Sequence, residues 1–178
     1  LAFGSASRMP FNEKIKEDAL FNYAKLTYEL SFAPFDETIR IFHSYLDQYD
    51  NTDRSDMIYN YLVDVYMTSK NYKRALESID KISKKNRQIT NALQKVAFYR
   101  GIELYNNLKY AEAIELFNKS LNAGGNDAEL ISLARYWKAE CFFREEKYNQ
   151  AIAQYEKYLT TPGAYSTQYY NLTNYNVA

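Results

Sequence analysis

The stretch LKYAEAIELFNKSL at residues 108–121 is followed by EKYNQAIAQYEKYL at residues 146–159, 38 positions later. Both contain a tyrosine, an Ala-Ile pair, an aromatic residue and a leucine at matching places, and this spacing puts the shared residues on one face of a helix. A looser form of the pattern recurs as KNYKRALESIDKIS at 70–83 and APFDETIRIFHSYL at 33–46. Four copies at a near-constant period predict an array of stacked repeats.

The composition is typical of a globular chain without a dominant charge. Apolar residues make up 47% of the 178 positions, and 22 Lys and Arg balance 22 Asp and Glu. Because there is no basic excess, we expect no nucleic-acid partner. No apolar run approaches the roughly 18 residues that a membrane-spanning helix needs, so we expect no membrane insertion of this segment. The single Cys141 excludes an internal disulfide and a cysteine metal site.

Each repeat is predicted to be a pair of helices, so the fold class is expected to be all-α. In the two clearest repeats the first helices are predicted at 88–106 and 127–145, and the second helices at 109–122 and 147–160. Gly and Pro cluster in NAGGND at 122–127 and TTPGA at 160–164, which indicates breaks between repeats. Asp127 and Ser55 are predicted helix N-caps.

The repeat period divides the chain into successive units of one predicted solenoid segment. We expect the end of a preceding repeat, repeats 1 to 4 and the start of a further repeat, at 1–10, 11–50, 51–86, 87–125, 126–163 and 164–178. No polar capping repeat closes either end, so the natural protein is expected to continue in both directions. At the C-terminal end, Leu172, Tyr175 and Ala178 correspond to Leu133, Tyr136 and Ala139.

Small residues recur where the paired helices should approach each other. These are Gly101 and Ala139 in first helices and Ala75, Ala113 and Ala151 in second helices. A larger side chain would have no room there, so Ala113→Leu is expected to overpack the contact.

The order of these residues resembles the tetratricopeptide repeat over essentially the whole chain. In repeat 3 the matching residues are Gly101, Leu104, Tyr110, Ala113, Phe117 and Leu121; in repeat 4 they are Ala139, Phe142, Tyr148, Ala151, Tyr155 and Leu159. The resemblance implies a right-handed superhelical solenoid of antiparallel helix pairs. The family period is 34, whereas this one is about 38. Because the excess is close to one helical turn, the apolar faces keep their orientation.

The long, tyrosine-rich units also resemble repeats of bacterial envelope proteins, such as the lipoprotein of outer-membrane assembly and the periplasmic protein of the Tol-Pal system. AIAQYEKYL and TIRIFHSYLDQY carry this second resemblance. It implies a periplasmic or cell-envelope location for a piece of a longer bacterial protein, with the cytoplasm as the alternative.

Tetratricopeptide arrays hold partners in a concave groove lined by their first helices, so the resemblance implies a partner-binding face. Its predicted residues are Asn60, Asp64, Met67, Phe98, Ile102, Tyr105, Asn106, Leu133, Tyr136, Glu140, Phe143 and Arg144. Aromatic pairs seven apart recur along this face, as Phe21 and Tyr28, Phe98 and Tyr105, and Tyr136 and Phe143. They could stack on an extended peptide. The alternative is that these rings pack against the neighbouring repeat.

Catalytic chemistry finds little support in the sequence. His43 and Cys141 lie about three repeats apart, which makes a thiolate–imidazole pair implausible. We expect His43 to be a surface or half-buried helix residue and Cys141 to be a small packing residue. DNTDRSD at 50–56 lacks the Gly and the distant Glu of a calcium loop.

The sequence therefore predicts a non-enzymatic scaffold without cofactor or metal, which binds a protein or peptide partner. The alternatives are a ligand-sensing module of a larger signalling protein, a carbohydrate-binding helper domain and a purely structural spacer. The sequence leaves the oligomeric state open.

Overall fold

The structure is a computed structural model that describes residues 2–9, 12–30, 35–49 and 53–177. Within these ranges every regular element is helical. The α-helices are Ala2–Ala6 (α1), Glu13–Glu29 (α2), Phe35–Gln48 (α3), Asp53–Thr68 (α4), Tyr72–Lys81 (α5), Arg87–Asn106 (α6), Tyr110–Leu121 (α7), Ala128–Arg144 (α8), Tyr148–Leu159 (α9) and Tyr170–Val177 (α10), with a 3₁₀ turn at Ala164–Ser166. The all-α prediction is confirmed for this part of the chain.

The chain forms two compact units, Leu1–Lys84 and Lys85–Ala178. In each unit, helices that follow one another in the sequence pack side by side. In addition, α2 contacts α4 in the first unit and α6 contacts α8 in the second. Contacts between alternate helices are what stacked helix pairs require. One continuous superhelical solenoid over both units stays a prediction.

The predicted helices of repeats 3 and 4 agree closely with the structure. α6, α7, α8 and α9 each begin and end within one residue of the predicted bounds. The side chain of Asp127 accepts a hydrogen bond from the backbone N–H of Leu130 at 3.1 Å, which confirms the predicted N-cap of α8. The N-cap prediction for Ser55 is wrong. α4 already begins at Asp53, and Ser55 is buried inside its first turn.

Some sequence predictions fall outside the described residues. The repeat boundaries between 10 and 11 and between 50 and 51 involve such residues, and so does Ala178. The other two residues of that C-terminal match, Leu172 and Tyr175, both lie in α10 and are exposed.

The turn between the two helices of a repeat has the same backbone conformation three times. Its central residue is left-handed although it is not glycine: φ is 56° at Lys70, 61° at Leu108 and 60° at Glu146. In each copy the next backbone N–H donates to a carbonyl five residues earlier, with Asn71 to Tyr66 at 2.8 Å, Lys109 to Leu104 at 2.9 Å and Lys147 to Phe142 at 2.9 Å. Such bonds satisfy carbonyls at the end of the preceding helix. The recurrence at intervals of 38 residues shows that the sequence repeat is also a structural one.

The predicted small residues lie where helices meet. Ala75, Ala113, Ala139 and Ala151 are all buried. A Cβ atom at Gly101 would approach the ring of Phe117 to 2.7 Å, and that ring is itself fully buried. The close approach of α6 and α7 therefore depends on the missing side chain at position 101.

A buried glutamine holds the joint between α7 and α8. The side-chain amide of Gln94 donates to the carbonyl of Asp127 at 3.1 Å, and its oxygen accepts from the N–H of Asp127 at 3.2 Å. Ser120 donates to the carbonyl of Gln94 at 2.8 Å. A Cβ atom at Gly125 would lie only 2.1 Å from the Gln94 side-chain oxygen. The two glycines of NAGGND thus have different roles: Gly125 leaves room for the Gln94 side chain, and Gly124 has a φ of 77° that favours glycine.

Candidate functional site

The second unit has a groove of about 660 Å³ on its surface. Its walls come from three places in the chain: the middle of α6, the first two-thirds of α8, and the segment 166–169 that precedes α10. The apolar residues of its lining are Phe98, Tyr99, Ile102, Leu130, Leu133, Trp137 and Tyr169. Lys95, Asp127 and Glu129 add charge of both signs. We call this surface the α6/α8 groove.

The third wall of the groove is fixed by aromatic stacking on α8. The ring of Tyr169 lies parallel to that of Tyr136, with centroids 4.2 Å apart, and meets Trp137 edge to face at 5.6 Å. Offset or edge-to-face contacts of this kind stabilise aromatic pairs beyond the area that they bury. The side chain of Tyr169 thus holds the segment 166–169 against α8.

Hydrogen bonds hold the preceding loop in place. The Tyr158 hydroxyl donates to the Ala164 carbonyl at 3.3 Å and is also bonded to the Thr167 hydroxyl. Arg135 donates to the Thr161 hydroxyl at 2.6 Å. Gly163 has a φ of 91°, a backbone conformation that residues other than glycine rarely adopt. The sequence TTPGA therefore forms a defined bend that places Tyr169 at the groove.

Three of the predicted binding residues line the α6/α8 groove: Phe98, Ile102 and Leu133. Ile102 and Leu133 are partly buried, and Phe98 is only 5% exposed. Tyr136 is 7% exposed and lies in the core between α8 and α9. The structure favours the packing alternative for Phe98 and Tyr136.

The other predicted residues of the second unit lie nearer the C-terminal ends of α6 and α8. Tyr105 packs edge to face on Trp137 with centroids 4.9 Å apart, and burial raises the pKa of its hydroxyl. Arg144 donates to this hydroxyl at 3.3 Å. Asn106 is exposed at the end of α6. Glu140 and Phe143 belong to a separate pocket beside α9.

Asn60, Asp64 and Met67 all lie on α4 in the first unit. The Tyr28 hydroxyl donates to the Asp64 carboxylate at 3.3 Å, and burial raises the pKa of that carboxyl. The Asn60 side-chain oxygen is buried and accepts no hydrogen bond from the residues that the structure describes, and Met67 is partly buried. These three residues belong to the first unit, whereas the residues that line the α6/α8 groove belong to the second.

The first unit uses the predicted aromatic pair Phe21 and Tyr28 in its own core. The Arg54 guanidinium lies 4.9 Å from the centre of the Phe21 ring and pairs with Asp18. Tyr28 packs on Tyr61 with centroids 4.7 Å apart. These contacts join α2 to α4, so the packing alternative also accounts for this pair.

Sequence reasoning missed Tyr99, Trp137 and Tyr169 among the groove residues. Trp137 could have been found, because it follows Leu133 by four positions and so shares its face of α8. Tyr169 carried no such signal, since it lies in a joint where no helical period applies.

The residues considered for catalysis have the expected surroundings. Cys141 is fully buried, and burial raises the pKa of its thiol to about 12. His43 is exposed and shares a hydrogen bond of 3.1 Å with the Tyr66 hydroxyl. Among the described residues, no three His, Cys, Asp or Glu side chains are grouped to hold a metal ion.

No protein-family model, curated protein or solved structure matches the chain. The tetratricopeptide assignment therefore stays a prediction from the sequence. In the part of the chain that the structure describes, every helix is too short or too polar to span a bilayer.

Proposed function

We propose that the chain is a non-enzymatic interaction scaffold whose α6/α8 groove binds an extended segment of a partner protein. The observation that carries this proposal is the lining of the groove. Aromatic and aliphatic side chains from two helices and a fixed loop face one concavity, with a few charged groups among them. Apolar concavities with few polar groups are typical of binding sites.

The chemistry of the lining indicates what kind of segment would fit. Tyr99 and Trp137 offer large apolar area that loses little rotamer freedom on binding. Lys95 lies on the α6 wall, whereas Asp127 and Glu129 lie at the start of α8. A segment with apolar or aromatic side chains at its centre and charged residues of opposite sign at its two sides would match this arrangement.

The resemblance to bacterial envelope repeats is the one support for a cell-envelope location and for a longer bacterial parent protein. The proposed location and the proposed parent protein both rest on that resemblance. Identification of the partner and of its compartment would test it.

The test is selection of binders from a phage-displayed library of random peptides, followed by titration of selected peptides into the chain. Trp137 is the only tryptophan and lines the groove, so its fluorescence should report an occupied groove. We expect Tyr99→Ala to weaken binding about tenfold or more, as loss of a central aromatic contact does.

Tyr165→Ala is the matched control, because Tyr165 is an exposed tyrosine of the same unit that does not line the groove. Selected peptides that bind both variants as tightly as the unchanged chain would overturn the groove assignment. Failure to select any peptide, together with binding of oligosaccharides that Tyr99→Ala abolishes, would favour the carbohydrate-binding alternative.

A further inference from the structure

A second, smaller pocket of about 330 Å³ lies between the C-terminal half of α8 and the first two-thirds of α9. Its lining residues are Glu140, Phe143, Tyr148, Ala151, Ile152 and Tyr155. It shares no lining residue with the α6/α8 groove. We call it the Glu140 pocket.

The rim of the Glu140 pocket carries three exposed apolar side chains. Phe143 is 47% exposed, Tyr148 53% and Ile152 44%. The rings of Phe143 and Tyr148 meet edge to face with centroids 5.7 Å apart. An aromatic ring attracts a cation placed over its face within about 6 Å of its centre.

Inside this apolar rim lies one carboxylate. Glu140 is half-buried and accepts a hydrogen bond from the Tyr155 hydroxyl. Burial raises the pKa of Tyr155, and the bond to Glu140 raises it further. A phenol that donates to a carboxylate satisfies part of its hydrogen-bonding capacity but leaves its negative charge in place.

The charge of Glu140 has no ion-pair partner among the described residues. Arg144 follows one turn later on α8; its guanidinium donates to the hydroxyl of Tyr105, and its charge also acts on Glu140 without a direct ion pair. A half-buried carboxylate that makes no direct ion pair can gain one from a bound cation. The pocket is thus electrostatically complementary to a positive group.

The preceding repeat shows that packing does not require this carboxylate. The residue that stands 38 positions before Glu140 is Ile102, and the residues that correspond to Phe143 and Tyr148 are Tyr105 and Tyr110. In that repeat all three are partly buried and pack against a core cluster that includes Phe117. An aliphatic residue can therefore stand where Glu140 stands, and helix packing alone does not call for an acid there.

We propose that the Glu140 pocket binds a lysine or arginine side chain of a partner protein. The cationic group would pair with the Glu140 carboxylate, while its aliphatic stem would lie against Phe143, Tyr148 and Ile152. Such a charge-assisted contact is stronger than one between neutral groups. This site is independent of the α6/α8 groove, so either proposal can fail alone.

The test is an NMR titration of the full chain with three blocked amino acids, Nα-acetyl-N-methylamides of lysine, arginine and norleucine. Norleucine keeps the aliphatic stem of lysine and removes its charge. We expect the lysine and arginine compounds to shift the resonances of Phe143, Tyr148 and Ile152, and the norleucine compound to bind about tenfold more weakly or not at all.

Glu140→Gln keeps the size of the side chain and removes its charge, so it should weaken the binding of both cationic compounds about tenfold or more. Glu156→Gln is the control, because Glu156 is an exposed acid on α9 outside the pocket. Tyr148→Ala removes half of the aromatic rim at an exposed position and should also weaken binding, which keeps the test decisive if Glu140→Gln disturbs the fold.

Three results would overturn the proposal. The norleucine compound could bind as tightly as the lysine compound, which would make the pocket an apolar docking surface for a helix. Glu140→Gln could bind lysine unchanged. Sedimentation could show a dimer that Tyr148→Ala dissociates, which would mean that a second copy of the chain covers the pocket.

Discussion

Two equivalent surfaces of the second unit differ in what covers them. On repeat 3, the rings of Tyr105 and Tyr110 meet edge to face at 5.5 Å with an interplanar angle of 62°. On repeat 4, Phe143 and Tyr148 do so at 5.7 Å and 63°. Trp137 of α8 lies 4.9 Å from Tyr105, whereas no such ring from a following helix lies on Phe143 in the described part of the chain.

The comparison separates what a repeat builds by itself from what its neighbour adds. The aromatic pair and the left-handed turn beside it form in the same way in both repeats, so local sequence is sufficient for them. The burial of the pair in repeat 3 depends on α8, which is the next helix along the array. Repeat 4 has no corresponding helix over its pair in the described part of the chain. Substitutions at equivalent positions of the two repeats should therefore lower the unfolding free energy by different amounts where a neighbouring helix contributes contacts. They should lower it by equal amounts where no neighbour contributes.

The largest difference is expected between Tyr105→Ala and Phe143→Ala. Tyr105→Ala removes the ring that packs on Trp137, so it should lower the unfolding free energy by about 2–4 kcal/mol. Phe143 is 47% exposed, and its removal should cost less than about 1 kcal/mol. Urea titrations followed by Trp137 fluorescence and by circular dichroism measure both. Equal costs would show that the neighbouring helix adds nothing to the pair.

Ala113→Leu and Ala151→Leu form the second pair. Both alanines are buried, but Ala151 also lines the Glu140 pocket, into which a leucine can extend. We expect a cost of about 1–3 kcal/mol at Ala113 and less than about 1 kcal/mol at Ala151. Thermal unfolding of the two variants tests this. A melt of Ala113→Leu that matches the unchanged chain would contradict the proposed helix register.

The joint between α7 and α8 offers a third test. In Gly125→Ala the new methyl group meets the side-chain amide of Gln94, which two hydrogen bonds to the backbone of Asp127 hold in place. We expect a cost of about 1–2 kcal/mol. In a double-mutant cycle the cost should shrink when Gln94 is already alanine. Additive costs would mean that another contact makes the glycine necessary.

The smallest effect should be the same in both repeats. Leu108→Gly and Glu146→Gly replace exposed residues whose φ values are 61° and 60°. Because glycine adopts this conformation without steric cost, each change should raise the unfolding free energy by about 0.5–1 kcal/mol. Leu108→Ala and Glu146→Ala serve as controls and should give no such gain. A gain at only one turn would show that the two turns are not equivalent.

The sequence predicted the helices well because their signals are local. Periodic apolar residues defined α6 to α9, the glycines of NAGGND and TTPGA marked the joints, and Asp127 marked the start of α8. The failure at Ser55 has a physical reason. Its helix begins two residues earlier, at Asp53, and this places the serine on the buried side of the first turn.

The candidate site was predicted less well, because exposure depends on the neighbouring element. Phe98 and Tyr136 carry the same helical signal as Ile102 and Leu133, yet they lie in the core. Tyr169 reaches the groove through a bend at Gly163 and a stack on Tyr136, and neither has a periodic signature. Sequence pattern alone therefore located the helices of the groove but only part of its lining.

The recurring turn also bears on how such a chain can change in length. Leu108 is followed by Lys109 and Tyr110, and Glu146 is followed by Lys147 and Tyr148. Copying or deleting the 38 residues between these two points would join a turn to the same dipeptide and leave its backbone hydrogen bonds intact. Duplication or deletion of this part of the gene can thus add or remove a whole helix pair, and the turn at the new junction keeps its sequence and backbone conformation.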